Sequence, residues 1–215
     1  MSESITDITR NPDCKIYRLT DEIVNAVVRC RSITHRLLYF SSRMEPSKEA
    51  MDLNELIREV LRVLNHAFLE RQARVDLDLA DDLPLLQADR GLLQQALFNL
   101  FNNAVEAIPV KGKILVSTRM ESVKTEDLEQ LEGSGTVFVI NIEDNGEGIS
   151  RENLEHIFEP FYTTRMGYGT GLGLSINYGI IQKQGGRIRV ESELGKGTKF
   201  IICLPKRTIP TRSMP

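Results

Sequence analysis

Asn99 and Asn103 lie one helical turn apart in LLQQALFNLFNNAVEAI, residues 92–108, so both carboxamides project from one face of a predicted helix. Amides on a mostly apolar helix need partners. Each either bridges neighbouring backbone or serves a ligand, and an Asn oxygen is a hard donor suited to Mg²⁺, which takes its other ligands from water and phosphates. A second group sits in NIEDNGEGIS, residues 141–150. Asp144 closes a predicted strand there, and Gly146 and Gly148 allow a close approach that bulkier residues forbid. An ionised carboxylate only accepts hydrogen bonds, so Asp144 suits the exocyclic amino group of adenine and repels the carbonyl of guanine. The alternative is an ordinary Asp-Gly turn.

In GYGTGLGLS, residues 167–175, Gly169, Gly171 and Gly173, with Thr170, Leu172 and Leu174 between and after them, lead into a predicted helix start. Free N–H groups and the helix dipole favour phosphate at such a start. The glycine spacing is not GxGxxG after a strand, and GKGT at 195–198 lacks the GxxxxGK[ST] frame, which excludes a P-loop. Between the two Gly-rich stretches runs IFEPFYTTRMGYG. There Phe158 and Phe161 are expected to anchor a lid whose small and polar residues, Thr163, Thr164 and onward to Gly169, order over a ligand, with Arg165 meeting phosphates. A plain surface loop is the alternative.

The elements that must carry these residues follow from periodicity. Residues 1–15 read as a polar leader or linker. From Ile16 to Met44 apolar and small residues recur at heptad spacing, the pattern of a long coiled-coil-like helix that buries its stripe against a matching helix. Pro46 and Ser47 end it, which puts a domain boundary near residue 48. Asp52 with Glu55 starts a helix expected to reach Arg71. Val75, Leu77 and Leu79 alternate as a strand. Asp89 caps the Asn-bearing helix to about Ile108. Residues 113–120 and 136–143 form strands joined by a polar insertion, a helix covers 171–184, and strands at 187–192 and 198–204 close the pattern; the tail from 207 on reads as disordered. Interleaved helices and strands imply an α/β (α+β) two-layer sandwich on a mixed or mainly antiparallel sheet.

Composition narrows the classes. Of 215 residues, 41% are hydrophobic and 27% charged, with a formal net charge of −3, so the basic footprint of nucleic-acid binding is missing. Cys14, Cys30 and Cys203 have no CxxC spacing, and a reducing, cytoplasmic location fits. Asn99, Asn102 and Asn103 interrupt the most apolar stretch, so no membrane contact is expected.

Taken in order, NLFNNA (99–104), DNGEGI (144–149), FEPFYTTR (158–165) and GTGLGLS (169–175) resemble the N, G1, F and G2 boxes of sensor histidine kinases of two-component systems. GGRIRVESELGKGTKF resembles the family's closing hairpin, and RCRSITHRLLYFSSR the second helix of its dimerisation and phosphotransfer hairpin. The resemblance implies the Bergerat ATPase fold over residues 48–206, with residues 16–47 as half of the dimerisation hairpin. It implies Mg²⁺ at Asn103, phosphate support from Asn99, adenine read by Asp144, a base pocket lined by Gly146, Gly148 and Ile149, phosphates at Gly169, Gly171 and Gly173, and Thr198 beside the adenine-side Asp. The implied reaction is phosphoryl transfer from MgATP to a histidine, for relay to a response regulator receiver domain, in a homodimer held by the 16–44 helix.

Two departures stand out. Where many relatives have a Lys three residues after the second Asn, this chain has Glu106, so positive charge must come from elsewhere, with Arg165 first. The phosphoacceptor pattern of His followed by an acid is absent: His35 precedes Arg36, His66 lies in the ATP-domain region and His156 beside the lid. The acceptor is therefore expected outside this chain, which reads as a piece of a longer sensor. An anti-sigma-type protein-serine kinase and a nucleotide-dependent interaction module without transfer are the alternatives.

Overall fold

The computed structural model describes residues 47–122, 135–164 and 170–207. The expected leader, the heptad helix, residues 123–134 of the insertion, Arg165, Gly169 and the tail from residue 208 lie outside these. In chain order come β1 (Lys48–Met51), α1 (Leu53–Val63), α2 (Asn65–Glu70), β2 (Arg74–Leu79), β3 (Leu86–Asp89), α3 (Arg90–Ala107), β4 (Lys113–Ser122), β5 (Thr136–Asp144), α4 (Arg151–Leu154), α5 (Gly173–Lys183), β6 (Arg187–Glu193) and β7 (Gly197–Pro205).

Five strands form a sheet in the order β2-β4-β5-β7-β6, while β1 and β3 pair separately. Only β2 and β4 run parallel; the other neighbours are antiparallel. The mixed sheet is as expected. Side chains alternate across it, and Ile114, Val116, Phe138, Ile140, Ile142, Phe200 and Ile202 share one buried face, on the side of α3 and α5. Helix α3 buries Leu93, Ala96, Leu97, Leu100, Phe101, Ala104 and Val105. Each such Leu or Phe contributes about 1.5–3 kcal/mol by leaving water.

Asp52 caps α1, its Oδ1 accepting from Glu55 N at 3.0 Å. The expected single helix breaks at Leu64, whose φ of −87° and ψ of 2° divide α1 from α2. The apolar stripe survives the break, since Leu64 and Phe68 are both buried. Strand β2 forms where the alternation of Val75, Leu77 and Leu79 placed it. It is an edge, Leu77 is 45% exposed, and its register with β4 places Asp76 between Arg74 (2.7 Å) and Lys113 (3.1 Å). These two cations hold the Asp76 carboxyl below its usual range, and a charged edge discourages pairing with another chain.

Two polar clamps fix the helices that matter for function. Asn54 donates to Ala80 O at 2.8 Å and accepts from Thr118 Oγ1 at 2.8 Å, tying α1 to the sheet. Gln184, just past α5, accepts from Asp89 N and donates to Asp89 O, both at 3.1 Å. Asp89 also caps α3 through Leu92 N at 3.0 Å. The C-terminus of α5 is thus locked to the N-terminus of α3. Among the described residues, no helix is long and apolar enough to cross a membrane.

Candidate functional site

The clamp at Asp89 and Gln184 sets α3 and α5 antiparallel, and a second contact confirms the direction. Asn99 Nδ2 donates to Asn177 Oδ1 at 3.1 Å, with Asn177 fully buried on α5. Asn103 lies four residues beyond Asn99, and Gly173 four residues before Asn177 in an antiparallel helix. Both offsets are about 6 Å along the pair in the same direction. The α5 N-terminus, with its free N–H groups and positive dipole end, therefore comes alongside Asn103. Among the described residues Asn103 has no side-chain hydrogen-bond partner, whereas Asn99 and Asn102 are both engaged.

One turn further, the end of α3 meets the Asp144 loop. Glu147 N donates to Ala107 O at 3.1 Å. A Cβ on Gly146 would stand 2.6 Å from that same Ala107 oxygen. The loop also leans on the β6–β7 turn: Gly195 N donates to Glu147 O at 2.7 Å. Gly148 has φ +69°, and a Cβ there would lie 2.1 Å from Glu193 O. Glycine is thus required at 146 and 148 because backbone packs against backbone on both sides.

Asp144 ends β5 and is buried. Its Oδ1 accepts from Gly146 N at 2.8 Å and from Thr198 N at 3.3 Å. Antiparallel register sets Asp144 opposite Thr198 and Thr198 opposite Ser192, so these three side chains form one row on the helix-facing side. Ser192 Oγ accepts from Ile149 N at 2.8 Å, donates to Gly197 O at 2.8 Å and lies 2.9 Å from Thr198 Oγ1. The structure therefore brings Asp144, Gly146, Gly148, Ile149 and Thr198 together. Ser192 and Asn177 were missed. The strand register could have placed Ser192 beside Thr198, whereas a lone Asn in GLSINYGI carries no such signal.

The segment after α4 behaves differently from expectation. Phe161 is 70% exposed among the described residues, and its φ of +68° is a strained value for a side-chain-bearing residue. The close contact here is made by backbone: a Cβ on Gly171 would fall 2.4 Å from the Phe161 carbonyl carbon. Tyr162 does the anchoring, its hydroxyl donating to Asn153 Oδ1 at 2.6 Å. Phe158 packs against Tyr178 with ring centroids 5.5 Å apart and planes tilted by 45°. It lines a groove of about 700 Å³ with Gln182 and residues 187–190, distinct from the Asp144–Thr198–Ser192 row. Thr163 is half-buried and Thr164 exposed; Leu172 is buried, while Thr170 and Leu174 are half-buried.

His156 sits beside this segment. Its Nδ1 meets Glu159 Oε1 at 2.8 Å, and that carboxylate raises the imidazole above its ordinary value. A raised folded value means that the pair contributes fully below about pH 6.5 and is lost as pH rises through the raised value. An NMR titration should find the His156 midpoint above 6.5, and Glu159→Gln should bring it back; an unchanged midpoint in the variant would assign the shift elsewhere.

The arrangement suits a nucleotide: the buried acceptor Asp144 lies at the end of α3, whose Asn103 comes alongside a helix N-terminus. The comparisons agree with it. The family model described as histidine kinase-, DNA gyrase B-, and HSP90-like ATPase matches residues 88–208. Sensor kinase CckA of Brucella abortus is 40% identical over 183 residues, covering 83% of this chain and 19% of that protein. The chain thus spans about a fifth of that relative's length. The catalytic domain of histidine kinase ThkA superposes with a TM-score of 0.63 at 31% identity, over 74% of this chain and 96% of that one. A structure of ThkA in complex with response regulator protein TrrA aligns with a TM-score of 0.70 at 28% identity, over 94% of this chain and 55% of that one. Carried by the four ordered boxes and by the sheet and helix pair that hold them, the chain belongs to the histidine kinase-, DNA gyrase B- and HSP90-like ATPase family, among the catalytic domains of sensor histidine kinases.

Proposed function

We propose that this domain binds MgATP and donates its γ-phosphate to a histidine on the dimerisation element of its parent protein, for relay to a response regulator receiver domain. The observation that carries the reading is the order of groups along α3. Its last turn holds the Asp144 loop, the turn before presents Asn103, and Asn99 ties in α5, so base, metal and phosphates would meet successive turns of one helix. Asp144 and Thr198 would hold the adenine, with Gly146, Gly148 and Ile149 around it. The α5 N-terminus at Gly171 and Gly173, with Gly169 and Arg165, would bind phosphate oxygens.

Mg²⁺ would be held by the Asn103 carboxamide together with phosphates and water. Among the described residues no cluster of His, Cys, Asp or Glu offers a protein cage, which suits a cation that keeps its waters. When bound, it would neutralise charge on the phosphates. In transfer, a histidine nitrogen attacks the γ-phosphorus, the bond to the bridging oxygen of ADP breaks, and the ring gives up its proton. Positioning and charge neutralisation supply most of the rate. The chain's own histidines lack the acidic neighbour of the family's acceptor pattern, so the acceptor is assigned to another part of a homodimeric parent, joined through the 16–44 helix. The ThkA–TrrA complex supports the assignment of a receiver domain as partner.

Incubating this chain and a longer parent with γ-labelled MgATP tests the reading. Acid-labile label on the longer protein is expected, with little on this chain alone. Acid-stable label would instead indicate a protein-serine kinase, and absence of label with intact nucleotide binding a module without transfer.

A further inference from the structure

We infer that Ser192 sets the hydrogen-bonding polarity of the base pocket: it accepts a hydrogen bond from the Thr198 hydroxyl, so Thr198 and Asp144 together turn lone pairs to the purine 6-position and favour a 6-aminopurine over a 6-oxopurine. The inference rests on the reading of this row as the base pocket. It assigns a specificity-determining positioning role to a residue that lies behind the pocket.

A serine hydroxyl has one donor and two acceptor positions. Ser192 Oγ has three polar neighbours: Ile149 N at 2.8 Å, Gly197 O at 2.8 Å and Thr198 Oγ1 at 2.9 Å. Ile149 N–H can only donate and Gly197 O can only accept. The first takes one lone pair and the second takes the serine proton. The remaining lone pair can be filled only by the Thr198 hydroxyl, acting as donor. All three positions of Ser192 are then used and no neighbour is left without a partner. The reverse arrangement, with Ser192 donating to Thr198, would strip the buried Gly197 carbonyl of its serine partner.

The register makes this matter for a ligand. Asp144, Thr198 and Ser192 stand in one cross-strand row, with Thr198 in the middle, so a threonine whose proton is turned toward Ser192 presents only lone pairs on its Asp144 side. Asp144 Oδ1 already receives Thr198 N and Gly146 N. A purine 6-position placed against the Asp144 and Thr198 side chains faces their lone pairs. An amino group at the purine 6-position is welcome, whereas a 6-oxo group meets no donor. Without Ser192 the Thr198 hydroxyl is free to rotate and donate, and the penalty on the oxopurine falls.

The test is calorimetric affinity of the whole chain for ADP and IDP, which differ at the purine 6-position. Wild type should prefer ADP. In Ser192→Ala the preference should narrow about three- to tenfold, the worth of one neutral hydrogen bond, and Ser192→Thr should restore it. If Ser192→Ala weakens both ligands equally and leaves their ratio unchanged, Ser192 is only a strut and the inference fails. Should the alanine variant be unfolded by circular dichroism, Ser192→Cys fills the same space with a poor acceptor, and its ADP to IDP ratio decides in the same way. A wild type that binds neither ligand would instead remove the base-pocket reading itself.

Discussion

Asp144→Asn should abolish adenine-nucleotide binding while leaving the domain folded. The variant amide keeps an oxygen, so Gly146 N and Thr198 N, now 2.8 and 3.3 Å from Oδ1, still find an acceptor and the loop keeps its shape. What changes is the other half of the group, which becomes an NH₂ donor. Loss of a charge-assisted hydrogen bond is worth about 1.5–3 kcal/mol, and leaving two donors facing each other adds about 1–3 kcal/mol. The sum corresponds to a loss of more than about 50-fold in affinity. Fold stability should change by no more than about 1 kcal/mol, because the backbone donors remain satisfied. Calorimetry with MgADP and thermal denaturation separate the two effects. Wild-type affinity in this variant would remove Asp144 from the base pocket, and with it the reading of the row it heads.

Much of this arrangement is legible in residue order because it rests on local spacing. Asn99 and Asn103 share a face by helical period, and Asp144 with its glycines occupies a single loop, so neither required knowledge of distant contacts. Thr198 was a different case, placed by resemblance alone; its proximity to Asp144 is a register fact, created by β5 and β7 pairing across the sheet. Ser192 escaped for the same reason, since only the β6–β7 register sets it beside Thr198. The fold shows the same division. Capping residues Asp52 and Asp89 were legible because a cap is local. The short strands β1 and β3 were not, being four residues each and too brief for alternation to stand out. Apolar character at Phe161 does not bring burial, since its ring is 70% exposed while its backbone packs against Gly171, and Tyr162 supplies the anchor through a polar bond to Asn153.

Two glycines separate what the fold needs from what the ligand needs. Gly197 has φ +118°, and a Cβ there would lie 1.9 Å from Asp144 O and 2.9 Å from Asn145 Cα. Those are backbone atoms of β5 and its loop, which cannot step aside without parting the β6–β7 hairpin from the strand that carries Asp144. Gly197→Ala should therefore destabilise the domain by about 2–4 kcal/mol, visible as a lower melting temperature before any ligand is added. Gly173 is the opposite case. It opens α5 without a left-handed φ, and among the described residues outside its own helical turn a Cβ there meets no atom within 4 Å. Gly173→Ala should raise stability by about 0.4–1 kcal/mol through the unfolded state. If phosphates approach the α5 N-terminus beside Asn103, however, the added methyl occupies their path, and MgATP affinity should fall about tenfold or more. A protein that melts no lower yet binds nucleotide poorly would mark Gly173 as a glycine kept for the ligand. Undiminished affinity would place the phosphates away from this helix end and would require Arg165 and its neighbours to hold them instead.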